Sequence, residues 1–261
     1  MNPTYVITSG WWSSKESEDN RLIKCGDEFI RSKDFHELWY KAIKKFTNPK
    51  KIYIIDSNSP IKPQLHGDEE LIELIENAGH STNHIGELCG VSRAHLVGMM
   101  MALANEVDYW VYIEQDALIY GEGIIEYAIS KMKKPYMFGS GFGTPQPTQQ
   151  SLMIIKTEFI PDFIKKFTSI KAKDNLISPE TKFAIATSKV LSLLPENLFY
   201  DIHSLNLKNK ILWKLFEFFK GYDELPFGYG RVRPINFEDK FFYFQHGNKD
   251  ELNEFLKRFD K

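Results

Sequence analysis

The sequence has little cysteine. Cys25 and Cys89 are the only two cysteines in 261 residues, and they lack the paired spacing of a zinc site. So few thiols exclude a disulfide framework and are typical of a reducing compartment. No window approaches the run of about 18 apolar residues that a membrane-spanning helix needs, and MNPTYVITSGWW lacks the parts of a signal peptide. We therefore expect a cytoplasmic protein, with peripheral attachment to a membrane as an open alternative.

Neither sign of charge dominates the sequence. The 33 Lys and Arg residues and 35 Asp and Glu residues give a net charge of −2, so the chain lacks the basic field that usually binds nucleic acid. Hydrophobic residues at 43% and aromatic residues at 14% favour a well-packed globule. There is no internal repeat and no low-complexity linker. Residues 1–261 are therefore expected to form one domain, with 195–261 as a C-terminal extension.

Strand-like and helix-like segments alternate through the first half of the sequence. Apolar, β-favouring runs predict strands at TYVITSG, KKIYIID and YWVYI, and TNHIGEL predicts a further short strand. Helical patterns predict helices over 34–46, 68–76 and 92–106, of which the last is capped by Ser92 and is apolar on nearly all its faces. This alternation predicts an α/β fold with a mostly parallel central sheet and helices on both sides.

The second half of the sequence is more varied. Residues 124–132 predict a helix, PYMFGSGFGTPQPTQQSLMIIKTEF predicts two short strands around a loop, and Ser178 is expected to cap the next helix. The segment NLKNKILWKLFEFFKGY, residues 206–222, predicts an amphipathic helix with a basic polar face. Such a helix either covers a hydrophobic core or lies on a membrane surface.

Polar residues follow three of the predicted strands. Ligands of open α/β sheets bind at the carboxyl ends of the strands, so residues 8–12, 56–59 and 114–116 are expected to share one edge. The predicted ligand-binding residues at the first of these ends are Thr8, Ser9 and Gly10. The carboxylates of Glu114 and Asp116 end a buried strand, which indicates either a cation or phosphate site or a solvent-exposed sheet end.

The order of these features resembles the GT-A glycosyltransferases. The sharpest part of the resemblance is GVSRAHLVGMMMALANEVDYWVYIEQDA, in which a helix carrying an arginine leads into a strand with an acidic triplet. The triplet is Glu-Gln-Asp where the family usually has Asp-x-Asp. The resemblance implies a Rossmann-like GT-A fold, a nucleotide-sugar donor and a metal ion. It also implies that Asp116 and His246, in FQHGNK, are metal ligands and that Glu180, in SPET, faces the acceptor.

The same residues suit the chemistry of sugar transfer. A divalent cation held by a carboxylate such as Asp116 neutralises a departing diphosphate. Oxygen ligands favour Mg²⁺ or Mn²⁺, and a histidine such as His246 shifts the preference towards Mn²⁺. The acceptor hydroxyl of an inverting enzyme needs a general base, and Glu180 is the predicted one. The alternatives are a helix-dipole role for Glu180 and a hydrogen-bonded, structural role for His246.

Further residues are predicted to contact the donor. Arg93 is expected to pair with phosphate, Asp56 to hydrogen-bond the base or ribose, and Glu114 to lie beside the metal-binding carboxylate. A surface salt bridge is the ordinary alternative for Arg93, and a turn is the ordinary alternative for Asp56. Trp11 and Trp12 either stack on the base or pack in the core.

The function predicted from the sequence is metal-dependent glycosyl transfer. The donor would be a nucleoside-diphosphate sugar and the acceptor a glycan or a lipid-linked molecule, in surface-polysaccharide synthesis. A sugar-phosphate nucleotidyltransferase is one alternative, although it would normally carry a Gly-rich basic loop where this chain has TSGWWSSK. The other is a non-catalytic nucleotide- or glycan-binding module, which would keep the pocket without the metal dependence. The sequence does not indicate the oligomeric state.

Overall fold

The computed structural model describes residues 3–15, 25–200, 202, 204 and 206–259. The strands within these residues are β1 (Tyr5–Trp11), β2 (Lys51–Asp56), β3 (Glu69–Glu73), β4 (Gly79–His80), β5 (Asn83–His84), β6 (Tyr109–Ile113), β7 (Ala117–Tyr120), β8 (Tyr136–Ser140), β9 (Thr148–Lys156), β10 (Asp223–Glu224), β11 (Tyr229–Gly230) and β12 (Phe242–Gln245). The α-helices are α1 (Lys33–Phe46), α2 (Gly90–Ala104), α3 (Ile124–Lys131), α4 (Ile160–Ser169), α5 (Pro179–Thr187), α6 (Leu207–Phe218) and α7 (Lys249–Phe259).

A seven-stranded sheet with the order β10-β8-β9-β6-β1-β2-β3 forms the centre of the molecule. The strands β6, β1, β2 and β3 run parallel to their neighbours, as do β10 and β8. Only β9 is antiparallel, to both β6 and β8. The α/β fold predicted from the sequence, with a mostly parallel central sheet flanked by helices, is therefore confirmed, and it is consistent with a GT-A-like fold.

Each face of the sheet carries its own hydrophobic core. Along β1, Tyr5 and Ile7 pack into the core that contains α1, α3 and α7, whereas Val6 between them packs into the core of α2, α4, α5 and α6. Ile54 and Ile55 of β2 divide between the two cores in the same way. Side chains alternate between the faces of a strand, so a nearly continuous apolar run satisfies both cores at once.

The C-terminal part of the chain adds a strand, β12, beside the carboxyl end of β6. Strand β12 pairs antiparallel with β7, and the register sets Gln245 opposite Ala117. Because Ala117 directly follows the acidic triplet, this pairing brings Gln245 and His246 next to Glu114 and Asp116. Residues far apart in the sequence thus meet at the carboxyl end of β6.

The segment 68–76 was expected to be a helix, and this prediction is wrong. Residues Glu69–Glu73 form β3, an edge strand that pairs in parallel with β2. The adjacent apolar residues of this strand serve opposite faces of the sheet, since Leu71 packs on one core and Ile72 on the other. The strand predicted at TNHIGEL is reduced to Asn83–His84, which forms a small hairpin with β4.

Helices α2 and α6 differ in detail from the sequence prediction, whereas the start of α5 agrees with it. Helix α2 begins at Gly90 after Cys89, and Ser92 does not cap it because its Oγ donates to Asp174 Oδ2 at 2.7 Å. Met100 on α2 is exposed, so the helix is not buried on all sides. Ser178 does cap α5, as predicted, and accepts from Thr181 N. Helix α6 ends at Phe218. Among the described residues, no helix is both long enough and apolar enough to cross a bilayer.

Candidate functional site

A cavity of about 180 Å³ opens at the carboxyl ends of β1, β2 and β6. The three strand ends that the sequence placed on one edge all reach it. They contribute Gly10 to Trp12, Ser57 and Glu114 to Asp116. The starts of α2 and α5 form further walls with Gly90, Val91, Pro179 and Glu180, and Arg231 comes from the segment after β11. The convergence of strand ends is therefore confirmed, while the role of each residue stays a prediction.

The middle residue of the acidic triplet has a structural task. Trp12 N donates to Gln115 Oε1 at 2.6 Å, and Gln115 Nε2 donates to Trp12 O at 3.1 Å. This paired hydrogen bond joins the end of β1 to the end of β6 and holds the rim of the cavity. The neighbouring Trp11 points elsewhere: its indole donates to Ile61 O and lies against His36 in the core. Of the two tryptophans, Trp11 therefore packs.

The two carboxylates of the triplet share one amide donor. Gln245 Nε2 donates to Glu114 Oε2 at 2.7 Å and to Asp116 Oδ1 at 3.1 Å. Gln245 Oε1 accepts from Arg231 Nε at 3.1 Å. A buried glutamine thus connects the carboxylate pair to a guanidinium at the cavity wall. Its amide cannot neutralise two negative charges, because it carries dipoles and no net charge.

Burial raises the pKa of Glu114 well above its usual range, and the negative charge of Asp116 raises it further. Two carboxylates packed this closely disfavour each other's ionisation. The charge of Arg231 acts in the opposite direction. The end of β6 is consequently a place where an added positive charge would be stabilised.

His246 lies against the second carboxylate. Its Nε2 is 3.4 Å from Asp116 Oδ2, and its backbone adopts the left-handed conformation with φ of 58°. Non-glycine residues rarely adopt this conformation. Burial lowers the pKa of His246, as do the positive charges of nearby arginines, although Asp116 opposes them. The ring is therefore neutral at pH 7, which is the form that binds metal ions.

The side chains of Asp116 and His246 could supply part of the ligand set of a divalent cation. Two ligands about 2.1 Å from a cation lie about 3.0 to 3.4 Å apart at octahedral to tetrahedral angles, so the 3.4 Å between Asp116 and His246 is a suitable bite. Within the described ranges, however, no three His, Cys, Asp or Glu side chains are clustered as a ready-made metal site. Asp116 and His246 could hold a cation that takes its remaining ligands from a substrate.

Glu180 and Arg231 lie next to each other at the cavity wall. Glu180 Oε1 lies 4.0 Å from Arg231 Nη2, which is an ion-pair distance and longer than a hydrogen bond. The start of α5 fixes Glu180, since Ser178 caps the helix and also donates to Gln146 Oε1 at 2.8 Å. The site therefore offers a carboxylate acceptor and a guanidinium donor side by side.

Several predicted donor-binding residues do not line the cavity. Thr8 Oγ1 accepts from buried Trp110 Nε1 at 2.8 Å, and Ser9 is buried within β1. Asp56 is also buried, where it accepts from Ser59 N at 3.0 Å and pairs with Lys62. Arg93 pairs with Glu76 at 2.8 Å. The ordinary alternatives, a turn and a salt bridge, thus describe Asp56 and Arg93. None of these four residues lines the cavity, and their contacts with a sugar donor stay a prediction.

No family model and no curated protein matches the chain. Among solved structures, it is similar to the crystal structure of the glycosyltransferase GlyE from Streptococcus pneumoniae TIGR4, with 14% sequence identity and a TM-score of 0.39. The matched region covers 85% of this chain and 45% of that chain, so this chain spans less than half of the other. The similarity is too distant to assign an activity.

Arg231 and Gln245 are site residues that sequence reasoning missed. Arg231 follows Gly230, whose φ of 61° and tight surroundings need a glycine, because a Cβ there would lie 2.4 Å from Gln149 Oε1. That same Gln149 Oε1 accepts from Arg231 N at 2.7 Å. The sequence feature that could have indicated Arg231 is the GYGRVR stretch, in which two glycines, typical of a turn, precede two arginines. Gln245 gave no signal beyond its position next to His246.

Proposed function

We propose that this protein is a glycosyltransferase that takes its sugar from a nucleoside-diphosphate sugar and requires Mn²⁺ or Mg²⁺. The observation that carries the proposal is the pairing of Asp116 with His246 at 3.4 Å beside a cavity that also contains Glu180 and Arg231. The acceptor would be a glycan or a lipid-linked molecule in surface-polysaccharide synthesis. Metal ligand, cationic group and base then occupy one cavity, as transfer of a sugar from a diphosphate requires.

Charge on the leaving diphosphate has two sources of stabilisation. A divalent cation bound by Asp116 and His246 would neutralise part of it. Arg231 supplies the second, because its guanidinium lines the cavity and can donate two parallel hydrogen bonds to phosphate oxygens. Arg231 takes the phosphate-binding role that the sequence suggested for Arg93. Arg93 instead forms an ion pair with Glu76.

Glu180 is the proposed general base. No residue that the structure describes donates a hydrogen bond to its carboxylate, so its oxygens are available to an acceptor hydroxyl. In the displacement, the hydroxyl proton passes to Glu180, the acceptor oxygen bonds to the anomeric carbon, and the bond from that carbon to the diphosphate oxygen breaks. A base in this position serves an inverting reaction, and a retaining enzyme would not require it.

The test is nucleotide binding followed by thermal unfolding. Nucleoside diphosphates of each base are added with Mn²⁺, with Mg²⁺ and with a chelator, and the matching nucleosides without phosphate serve as controls. A ligand at 100 times its dissociation constant stabilises the native state by about 2.7 kcal/mol. We expect one diphosphate to raise the melting temperature only when a cation is present. If no diphosphate raises it with either metal, the proposal is wrong.

The outcomes also separate the alternatives. A diphosphate that binds equally well with the chelator, with no sugar hydrolysed or transferred, indicates a non-catalytic binding module. Release of pyrophosphate from a nucleoside triphosphate and a sugar phosphate indicates a nucleotidyltransferase. Release of a nucleoside diphosphate from a nucleotide sugar is the product expected from the proposed enzyme.

A further inference from the structure

Helix α6 has apolar residues on two opposite faces. Leu212 and Phe216 are buried in the hydrophobic core beneath it, which is the ordinary role of an amphipathic surface helix. On the other side, Leu207 is 74% exposed, Ile211 52% and Phe218 82%. Spacings of four and seven residues place these three side chains in one stripe along the helix. The stripe is not needed to cover the core.

Lysines surround this stripe. Lys214 lies within it, and Lys210 and Lys208 flank it on either side at 3.6 residues per turn. Lys210 and Lys214 are exposed and have no ion-pair partner among the residues that the structure describes. Lys208 donates only to the carbonyl of Tyr200, at 3.4 Å. The exposed face of α6 therefore combines large apolar side chains with uncompensated positive charge.

Acidic residues within the helix offset little of this charge among the described residues. Glu217 is the only Asp or Glu between residues 206 and 220, and its Oε2 lies 3.4 Å from Lys220. Lys220 also pairs with Glu224 at 2.8 Å and is mostly buried. Lys220 thus belongs to a local ion-pair group, whereas Lys208, Lys210 and Lys214 are available to an external anion.

We propose that the exposed face of α6 docks on an anionic lipid surface. Leu207, Ile211 and Phe218 would enter the boundary between headgroups and acyl chains, and the lysines would lie at the level of the headgroup phosphates. Charge selects the lipid over a second copy of the chain, because a symmetric dimer through this face would bring the lysines of two copies together.

The position of α6 connects this face to the cavity. Gly221, three residues beyond the helix, packs against the carbonyl of Thr187, the last residue of α5. Helix α5 spans about 13 Å, at 1.5 Å per residue, and Glu180 lies in its first turn. A docked α6 would therefore hold the cavity at a fixed distance from the lipid surface. This last step rests on the proposed function and suits a lipid-linked acceptor, whereas docking itself does not depend on it.

The experiment is co-sedimentation with phosphatidylcholine vesicles, with and without phosphatidylglycerol, at low and high salt. We expect the protein to sediment with the anionic vesicles at low salt and to be released by salt. Replacing Lys208, Lys210 and Lys214 together by Gln should weaken binding at least tenfold, since each lysine near an anionic surface contributes about fivefold. The double variant Ile211→Ser with Phe218→Ser should weaken it comparably.

Matched controls separate this face from the rest of the surface. Lys220→Gln removes a charge that is already paired with Glu224. Ile75→Ser removes an apolar side chain that is 95% exposed. Ile75 follows β3, which forms the opposite edge of the sheet from β10. Both should bind vesicles as the unaltered protein does. All altered side chains of the test variants are exposed, so their melting temperatures and their response to nucleotide should not change.

Three results would overturn the proposal. One is equal binding to neutral and anionic vesicles, or binding to neither. Another is full binding by both the lysine variant and the double serine variant. The third is a dimer in light scattering that Ile211→Ser with Phe218→Ser converts to a monomer, which would assign the face to a second copy. A failure of nucleotide binding would leave the vesicle result unaffected.

Discussion

His246 Nε2 lies 3.4 Å from Asp116 Oδ2, and strand β12 holds the two residues together by pairing with β7. Asp116 follows the strand that ends in the acidic triplet, whereas His246 comes from near the end of the chain. Because Gln245 also donates to both carboxylates of the triplet, the β12 end organises the whole acidic group. At the proposed cation site, a substitution of Asp116 should therefore change cation binding, whereas substitution of a carboxylate elsewhere should not.

The first prediction concerns Asp116. Asp116→Asn removes one negative charge while its side chain keeps the same size, so the fold should be retained. Mn²⁺ affinity measured by calorimetry should fall at least tenfold, and the cation-dependent response to nucleoside diphosphate should disappear. Asp250→Asn, at an exposed carboxylate in α7, is the control and should bind as before. Unchanged Mn²⁺ binding in Asp116→Asn would remove this residue from the site.

The second prediction concerns Glu180. Glu180→Gln keeps the shape of the side chain but cannot accept a proton, so turnover should fall by about a hundredfold or more while donor affinity changes little. Steady-state kinetics of sugar transfer together with direct donor binding would separate the two quantities. A parallel loss of turnover and donor affinity would instead indicate that Glu180 supports the start of α5.

A third prediction concerns pH and His95. Burial lowers the pKa of His95 to about 3, against which the charge of Asp174 acts weakly. Between pH 6.5 and 3 the unfolded chain binds a proton at this position that the native protein does not, so stability falls as the pH is lowered. The loss should be about 1.4 kcal/mol per pH unit below 6.5, and about 2 kcal/mol at pH 5.

The measurement is urea unfolding of the protein and of His95→Leu at pH 7.5 and pH 5. Since His95 packs against Tyr112 and Phe183, the variant fills similar apolar space without a titrating group. We expect the stability of the variant to depend less steeply on pH. Equal slopes for the two proteins would show that other groups account for the acid sensitivity.

The fourth prediction concerns a buried ion pair that joins two walls of the cavity. Lys182 Nζ of α5 lies 2.7 Å from Asp174 Oδ1, and both side chains are fully buried. Asp174 Oδ2 also accepts from Cys89 N and Ser92 Oγ at the start of α2. Lys182→Met leaves one charge buried and uncompensated and should cost about 3–5 kcal/mol of unfolding free energy.

The double variant Lys182→Met with Asp174→Asn provides the comparison. With neither charge present, most of the lost stability should return, because the cost of the single variant comes from an unpaired buried carboxylate. Chemical unfolding of both variants measures the difference. If the double variant is as unstable as Lys182→Met, packing rather than charge determines the stability at this position.

The sequence by itself determined the elements whose side-chain pattern matches their local geometry. Strand β1 and helix α1 were predicted within a few residues, and so was the start of α5 at Ser178, since the directions of successive Cβ atoms distinguish a helix from a strand. The placement of Asp116 at the cavity followed as well, because parallel strands bring their carboxyl ends to one edge. Local periodicity and one topological rule were sufficient for these results.

The tertiary structure decided the remainder. The segment 68–76 was predicted to be a helix, and only the pairing of β3 with β2 showed that Leu71 and Ile72 serve opposite faces of a sheet. Arg93 pairs with Glu76 and does not line the cavity, while the fold of the distant C-terminal segment brought Arg231 to it. These outcomes depend on contacts between residues far apart in the chain, and a local pattern contains no information on which distant partner a side chain will meet.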